Sequence, residues 1–533
     1  MPQLHARFTG ESFAARGGAE GKVRPMRRVA FIGGLVLSSL SWFTGCVTAA
    51  PPPAPPSAPV DAGPTEAELL APKLDALERD IARVSGAADE RLWAWWITGA
   101  PLDLAAAFKG HEDLLGPRSM ELLARAQLLR PDDAARVEAL RHWIVGEVLV
   151  RSAATESDAI ANLASTTSFQ LDTKEVLLRD LGKLLVNEKS AVKRRALWNA
   201  SHPAAARLDA LIAARDLKLS QALGSLEGQD GGVDLLTASA RARGFELATL
   251  TRDADETLTA TEEEWKTVLQ ALSDVEVKLP LVQLTRGDLP RLLRVPSPVD
   301  AEFPKQKIAT RLVQTVGALG LYGQPGLTLE LNEAARKNPL PLTVAPTPGD
   351  VRVSVRPLGG LKDQQLALAE LGTALWLHAQ RNEPPWKGRL APPLAAQTNA
   401  ERFANLLSDR AWLEANEVKN VDAVIAAARA QRLFTLRRAA GLVLARVEAS
   451  RAPDDTAARS AFVSVMSRAL GVALSGDEGQ RWRLETDDFL RSATQLEALR
   501  AAAGSPLAWP TTTDAGVTDA GVDAGATALP DAG

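Results

Sequence analysis

Five histidines and one cysteine are all that 533 residues offer as imidazole or thiolate groups for transition-metal or nucleophilic chemistry, and there is one tyrosine. His5, His111, His142, His202 and His378 stand far apart, and none has a second histidine four residues away. Two imidazoles at i and i+4 share one helix face and can grip one zinc ion, so the usual zinc helix is absent. His111-Glu112 opens like that motif but continues Asp-Leu-Leu, which leaves out the second ligand. A Gly-x-Ser-x-Gly elbow and a phosphate-binding Gly-rich loop are also missing. The lone Cys46 can form neither an intramolecular disulfide nor a thiolate cluster.

The carboxylate with the most suggestive company is Glu370. It lies in PGDVRVSVRPLGGLKDQQLALAELGTALW, residues 348–376, where an alternating segment is followed by Gly359-Gly360 and then by a helical pattern. This stretch resembles the strand, connection and zinc helix of the helical gluzincin metallopeptidases, the angiotensin-converting-enzyme and thimet-oligopeptidase families. Their helix reads His-Glu-x-Gly-His, and the five matching residues here are Ala369-Glu370-Leu371-Gly372-Thr373. A glutamate about two dozen residues further on supplies the third zinc ligand in those families. That spacing falls on Gln397, with Glu401 one turn beyond, and Phe403, Leu406, Leu407 and Trp412 keep the look of the following helix. Weaker likenesses involve Arg215-Asp216 with Ala222 and Gly224, after Trp198, and a closing helix near Asp487-Asp488-Phe489. The resemblance spans about residues 190–505 and is specific around 348–412.

The resemblance implies a large two-lobed, mainly α fold with a deep channel, a small β element near 351–356 and Glu370 in the general-base position. It does not carry the metal over. Ala369 has no donor atom, Thr373 has a neutral hydroxyl and Gln397 a neutral amide, so nothing at the three ligand positions competes with water for zinc. His378 follows Thr373 by five residues and points off the ligand face of a helix with about 3.6 residues per turn. No histidine follows His378, and Tyr322 is the only tyrosine, so the groups that steady the tetrahedral intermediate in those families have no counterpart. No cofactor is expected, and Glu370 is left idle because no metal activates water beside it.

The leading reading is therefore a pseudopeptidase that holds a peptide or protein partner without cutting it. Strand 351–356 is a candidate to pair with an extended peptide through its backbone. Arg352 and Arg356, on its polar side, are candidates to meet an acidic group, with a solvated polar face as the competing reading. Two other readings stay open. One is a zinc peptidase with unusual ligands, or another hydrolase using Glu370. The other is a structural envelope scaffold unrelated to peptidases.

The elements that must position these residues are helical. Ala, Leu and Arg dominate the composition, and good helix formers in that proportion favour an α-rich fold. Leu69, Leu70, Leu74, Leu77, Ile81 and Val84 recur at helical steps, and Leu92, Trp93, Trp96 and Ile97 extend that packing. Further helices are expected at 119–129, 132–153, 173–186, 203–223, 260–273, 307–319, 362–380, 398–414, 420–448, 455–471 and 485–502. One strand is expected, where Val351, Val353 and Val355 alternate with Arg352, Ser354 and Arg356.

Four regions follow in order: 1–45, 46–65, 66–509 and 510–533. Met26-Arg27-Arg28, the apolar run Val29–Leu40 and Thr44-Gly45 before Cys46 resemble a lipoprotein signal peptide, although Phe43 stands where leucine is usual. Residues 1–25 fit neither an n-region nor a domain, which makes Met26 a candidate start. Cys46 would be acylated and hold the chain to the inner or outer membrane of a cell envelope, with the domain in the periplasm or at the cell surface. A Pro-rich tether to residue 65 gives reach. The helical domain occupies 66–509, and the Asp-Ala-Gly repeats of 510–533 cannot bury a core. Residues 1–45 carry six basic and two acidic residues, so their removal takes the formal charge from −4 to −8. An acidic chain lacks the basic footprint that nucleic acid requires, and nucleic acid is not an expected partner.

Overall fold

The computed structural model describes residues 64–100, 102–228, 234–487, 489–504 and 507. The leader, Cys46, nearly all of the tether and the tail lie outside the described residues. The longer helices are α1 (Glu66–Thr98), α2 (Pro117–Leu129), α3 (Ala134–Arg151), α4 (Ala154–Ala164), α5 (Ala191–Ala200), α6 (Asp209–Leu226) and α7 (Leu247–Ala260). They continue as α8 (Glu262–Glu276), α9 (Lys305–Ala318), α10 (Leu361–Ala379), α11 (Leu394–Ala404), α12 (Val421–Arg451), α13 (Asp455–Leu470) and α14 (Phe489–Gly504). Two small sheets complete a mainly α architecture. One is the hairpin β1 (Ser168–Leu171) and β2 (Lys174–Leu177), and the other holds β3 (Leu327–Glu330), β4 (Leu342–Thr347) and β5 (Asp350–Ser354).

Local chemistry fixes where α1 begins. Thr65 and Glu68 form a reciprocal capping box, with Thr65 N donating to Glu68 Oε2 at 2.6 Å and Glu68 N to Thr65 Oγ1 at 3.3 Å. Leu70, Leu74, Leu77, Ile81, Val84, Ala88, Leu92 and Trp96 form its buried stripe, while Leu69, expected in that stripe, faces outward. Trp96 is core, as the periodicity indicates, and its Nε1 donates to Leu340 O at 2.8 Å.

Three large apolar cores result. The first joins α1, α2 and α3 through residues such as Leu74, Ile81, Leu123 and Ile144. A second packs α9 and α10 on the three-stranded sheet through Ile308, Val353 and Leu368. The third gathers α7, α8, α12 and α13 around Leu258, Trp265, Val443 and Phe462.

Two sequence expectations are corrected by the fold. The helix expected at 173–186 opens as a hairpin, because Asp172 turns the chain at φ 54° and places Phe169 opposite Val176; helix resumes only at Leu181–Asn187. The helix expected at 398–414 is broken at Asp409, whose extended backbone and side chain cap a new helix by accepting from Trp412 N at 2.9 Å.

The sheet holds a third correction. β5 is the central strand, parallel to β3 on one side and antiparallel to β4 on the other. Its backbone is already paired on both edges, so it cannot take up an extended peptide. The β4 edge is covered as well. A Cβ at Gly86 of α1 would lie 2.4 Å from Pro346 O, and Asp89 Oδ2 accepts from Ala345 N at 3.3 Å.

A titratable group lies buried between α5 and the 476–486 segment. His202 is 2% exposed and stacks edge-on against Trp198 at 5.7 Å, and neither ring nitrogen has a hydrogen-bond partner among the described residues. Burial, with Arg481 nearby, pulls its pKa from 6.5 down to about 4. A depressed folded value means stability that is full above pH 6.5 and lost as pH falls toward 4. Asp209, raised by burial to about 6, works in the opposite direction between its ordinary value and 6, so total acid sensitivity is blunted. Comparing wild type with His202→Gln isolates the histidine. Urea unfolding should show the wild type losing roughly 3 kcal/mol more than the variant from pH 6.5 to 4. Parallel stability curves over that range would contradict this assignment.

Candidate functional site

Gly372 marks the point where α10 and α11 touch. A Cβ at that position would meet Asn399 O at 2.6 Å and Ala400 Cα at 3.0 Å, and Asn399 Nδ2 donates to Gly372 O at 2.7 Å. The glycine inside Ala-Glu-Leu-Gly-Thr thus serves helix packing independently of any metal. Both neighbours are backbone atoms, so Gly372→Ala must spread the two helices. We expect a loss of about 1–3 kcal/mol in urea unfolding; an unchanged midpoint would show that the crossing is looser than it looks.

Beside this crossing opens a cavity of about 430 Å³. Ala369, Glu370, Thr373 and Gln397 all line it, so two helices bring the four sequence-singled positions to one wall. The reason is geometric: 369 and 373 lie one turn apart on α10, and α11 packs alongside at Gly372. Glu370 is buried, and its carbonyl oxygen accepts from Thr343 Oγ1 at 2.9 Å, which ties α10 to β4. Thr373 Oγ1 turns back on its own helix and donates to Ala369 O at 3.3 Å. Gln397 Nε2 donates to Glu401 Oε1 at 3.3 Å. Burial raises the Glu401 carboxyl above its ordinary value, against the lowering effects of Gln397 and Arg432.

This donor set does not fit a zinc ion. Zinc is held by thiolates, imidazoles and carboxylates, whereas the wall offers a methyl, a hydroxyl engaged with its own helix and an amide. Among the described residues, no three His, Cys, Asp or Glu side chains gather to hold a metal. His378 is buried outside the cavity lining, with its pKa lowered by burial and then by Arg381.

The two weaker sequence likenesses meet across the same cavity. Arg215 Nη1 donates to Asp487 Oδ2 at 3.1 Å and Nη2 to Asp216 Oδ1 at 2.9 Å, while Arg446 Nη2 reaches Asp216 Oδ2 at 2.6 Å. Burial opposes the Asp216 charge, but Arg446 and Arg215 outweigh it and hold the carboxyl below the aspartate range. This chain of charges links α6, α12 and the segment before α14.

Arg352 and Arg356 are placed elsewhere, since neither lines the cavity. Arg352 is engaged by Asp350 at 2.9 Å and by Glu90 of α1 at 2.9 Å, and lies over Trp93. Arg356 Nη1 donates to Lys337 O at 3.0 Å. Both contacts hold the sheet to its neighbours.

Sequence reasoning overlooked the cations on the cavity wall, above all Arg243, Lys362 and Arg432. Lys362 was findable, because 362, 366, 369 and 373 follow one another along one face of α10. Arg243 lies just beyond the short helix Leu235–Arg241, and Arg432 lies midway along α12, with no local signal to mark either.

No family model matches this chain, and no curated protein does. Among solved structures it is similar to the crystal structure of a putative peptidase from Chlamydophila abortus, with a TM-score of 0.54 at 12% identity over 78% of this chain and 77% of that one. The two chains share a peptidase-like fold.

Proposed function

We propose that this chain is a lipid-anchored, non-catalytic relative of zinc peptidases that holds a peptide, or a peptide segment of a partner protein, in its cavity. The observation that carries this reading is the convergence of Ala369, Glu370, Thr373 and Gln397 on one cavity wall of a peptidase-like fold, with one charged group among the four. That placement supports a gluzincin ancestry in which the three ligand positions have changed and the base position has not. A hydrolytic step has no support here: among the described residues no three metal-ligating side chains gather near Glu370, and no cofactor is proposed. A purely structural spacer is disfavoured by a cavity of about 430 Å³, which falls in the range of ligand sites.

The test uses the purified full-length protein in detergent, mixed with a pool of synthetic octapeptides and passed over a sizing column. Intact peptides should travel with the protein and none should be cut, with zinc or with EDTA present. An empty protein fraction, or fragments that vanish with EDTA, would count against the proposal.

Cys46 carries the membrane part of the reading. Two or three acyl chains suffice for stable anchoring, so Cys46→Ser should shift the protein from the membrane to the soluble fraction. A Cys46→Ser protein that still sediments with membranes would contradict an anchor at that residue.

A further inference from the structure

The charges on the cavity wall are unequal. Among the described residues, six lysine and arginine side chains line it against four carboxylates. Asp216 and Asp487 are taken up by Arg215 and Arg446, and the rest of the lining holds Glu370 and Glu401 together with Arg243, Lys362, Arg432 and Arg491.

Three of those cations have no carboxylate within ion-pair distance among the described residues. Lys362 Nζ donates only to the Gln365 amide, at 3.0 Å, and Arg432 Nη2 only to Leu499 O, at 3.2 Å. Arg243 stands further out of balance. Half-buried on the cavity lining, it has no hydrogen bond, ion pair or ring contact to its guanidinium among the described residues, and desolvation lowers its pKa to about 10. Two fully buried arginines of this fold, by contrast, each hold several groups: Arg194 holds Asp288 and two carbonyls, and Arg437 holds Leu258 O, Ala469 O and Arg468 O. A half-buried guanidinium with no partner in the protein keeps its donors open to a ligand that brings a planar pair of oxygens.

We infer that the cavity selects peptides bearing a carboxylate, with Arg243 as the anchor that receives it and Lys362 and Arg432 setting the field around it. This deepens the peptide-holding reading and rests on it. The carboxylate can come from an acidic side chain or from a free C-terminus, because both present the planar pair of oxygens that a guanidinium grips through two parallel hydrogen bonds. Arg243→Gln breaks no side-chain hydrogen bond or ion pair among the described residues, so the variant should fold as the wild type does.

Binding of fluorescein-labelled octapeptides to the full-length protein, followed by anisotropy, separates the cases. One neutral sequence is made with a free C-terminus, with an amidated C-terminus, and amidated with one internal glutamate. The amidated neutral peptide should bind about tenfold or more weakly than at least one carboxylate-bearing peptide, and which of the two wins identifies the source. Arg243→Gln should abolish that advantage and bring the three peptides to one affinity, and Arg243→Lys should restore part of it. Lys362→Gln provides a second, independent reduction. Equal binding of all three peptides, or an advantage that survives in Arg243→Gln, would overturn the inference while leaving peptide holding intact. If no peptide binds at all, both fail.

Discussion

A chain carrying Ala369→His, Thr373→His and Gln397→Glu together is expected to bind zinc about a thousandfold more tightly than the wild type, whereas each single change should do little. The two histidines would stand one turn apart on α10, on the face that lines the cavity. The new carboxylate would come from α11, which is locked against α10 at Gly372 and cannot drift far from it. Three ligands on two rigid helices lose little freedom on binding, which is what makes such sites strong. Glu401, one turn beyond residue 397, would oppose the added charge slightly, and Thr343 would still hold α10 through Glu370 O. A competition titration against a chromogenic chelator reads the affinity, and circular dichroism shows that the variant folds. A folded triple variant with no more affinity for zinc than the wild type would mean that the two helices do not stand in the register of a zinc site.

The largest loss of stability is expected from Arg194→Met. Arg194 is fully buried, its Nε donates to Asp288 Oδ1 at 2.7 Å, and its Nη1 reaches the carbonyls of Glu188 and Lys189 at 3.0 and 2.8 Å. Asp288 is 1% exposed, and its other oxygen receives Thr285 N and Thr285 Oγ1, both at 2.9 Å. Methionine fills much of the volume but leaves that carboxylate charged and buried beside an apolar chain. Removing one partner of a buried pair costs about 3–5 kcal/mol, far more than the intact pair contributes relative to two apolar groups. The double change Arg194→Met with Asp288→Leu should recover a good part of the loss in urea unfolding. If the single variant unfolds at the wild-type midpoint, the pair is not the clasp that joins α5 to the 285–288 turn.

The wall built from Ala369, Glu370, Thr373 and Gln397 was legible in the chain because local spacing defines it. Positions four apart on a helix share a face wherever the helix goes, and the Gly-Gly connection and the alternating valines announce the strand before it. The long helices were legible for the same reason, as α1 shows with one stripe running from Leu70 to Trp96. What stayed hidden depends on long-range pairing. β3 and β4 are short and find their meaning only against β5, so the strand that looked open to a peptide proved to be the paired centre of its sheet. The hairpin at 168–177 turns on one left-handed residue, Asp172, inside a stretch rich in helix formers. Arg352 and Arg356 drew notice through their alternation, yet Glu90 and Lys337 claim them from distant parts of the chain. Arg243 and Arg432 gave no local sign, since they reach the cavity from elements about 190 residues apart in sequence.

We propose that the wall of this cavity seats no divalent metal and so does not make water attack a peptide bond. The most direct test is a zinc titration of the purified full-length wild-type protein, followed by desalting and elemental analysis of the protein fraction. The account predicts retained zinc far below one ion per chain. One zinc per chain, removed by EDTA together with a peptide-cleaving activity that returns on adding the metal back, would contradict it.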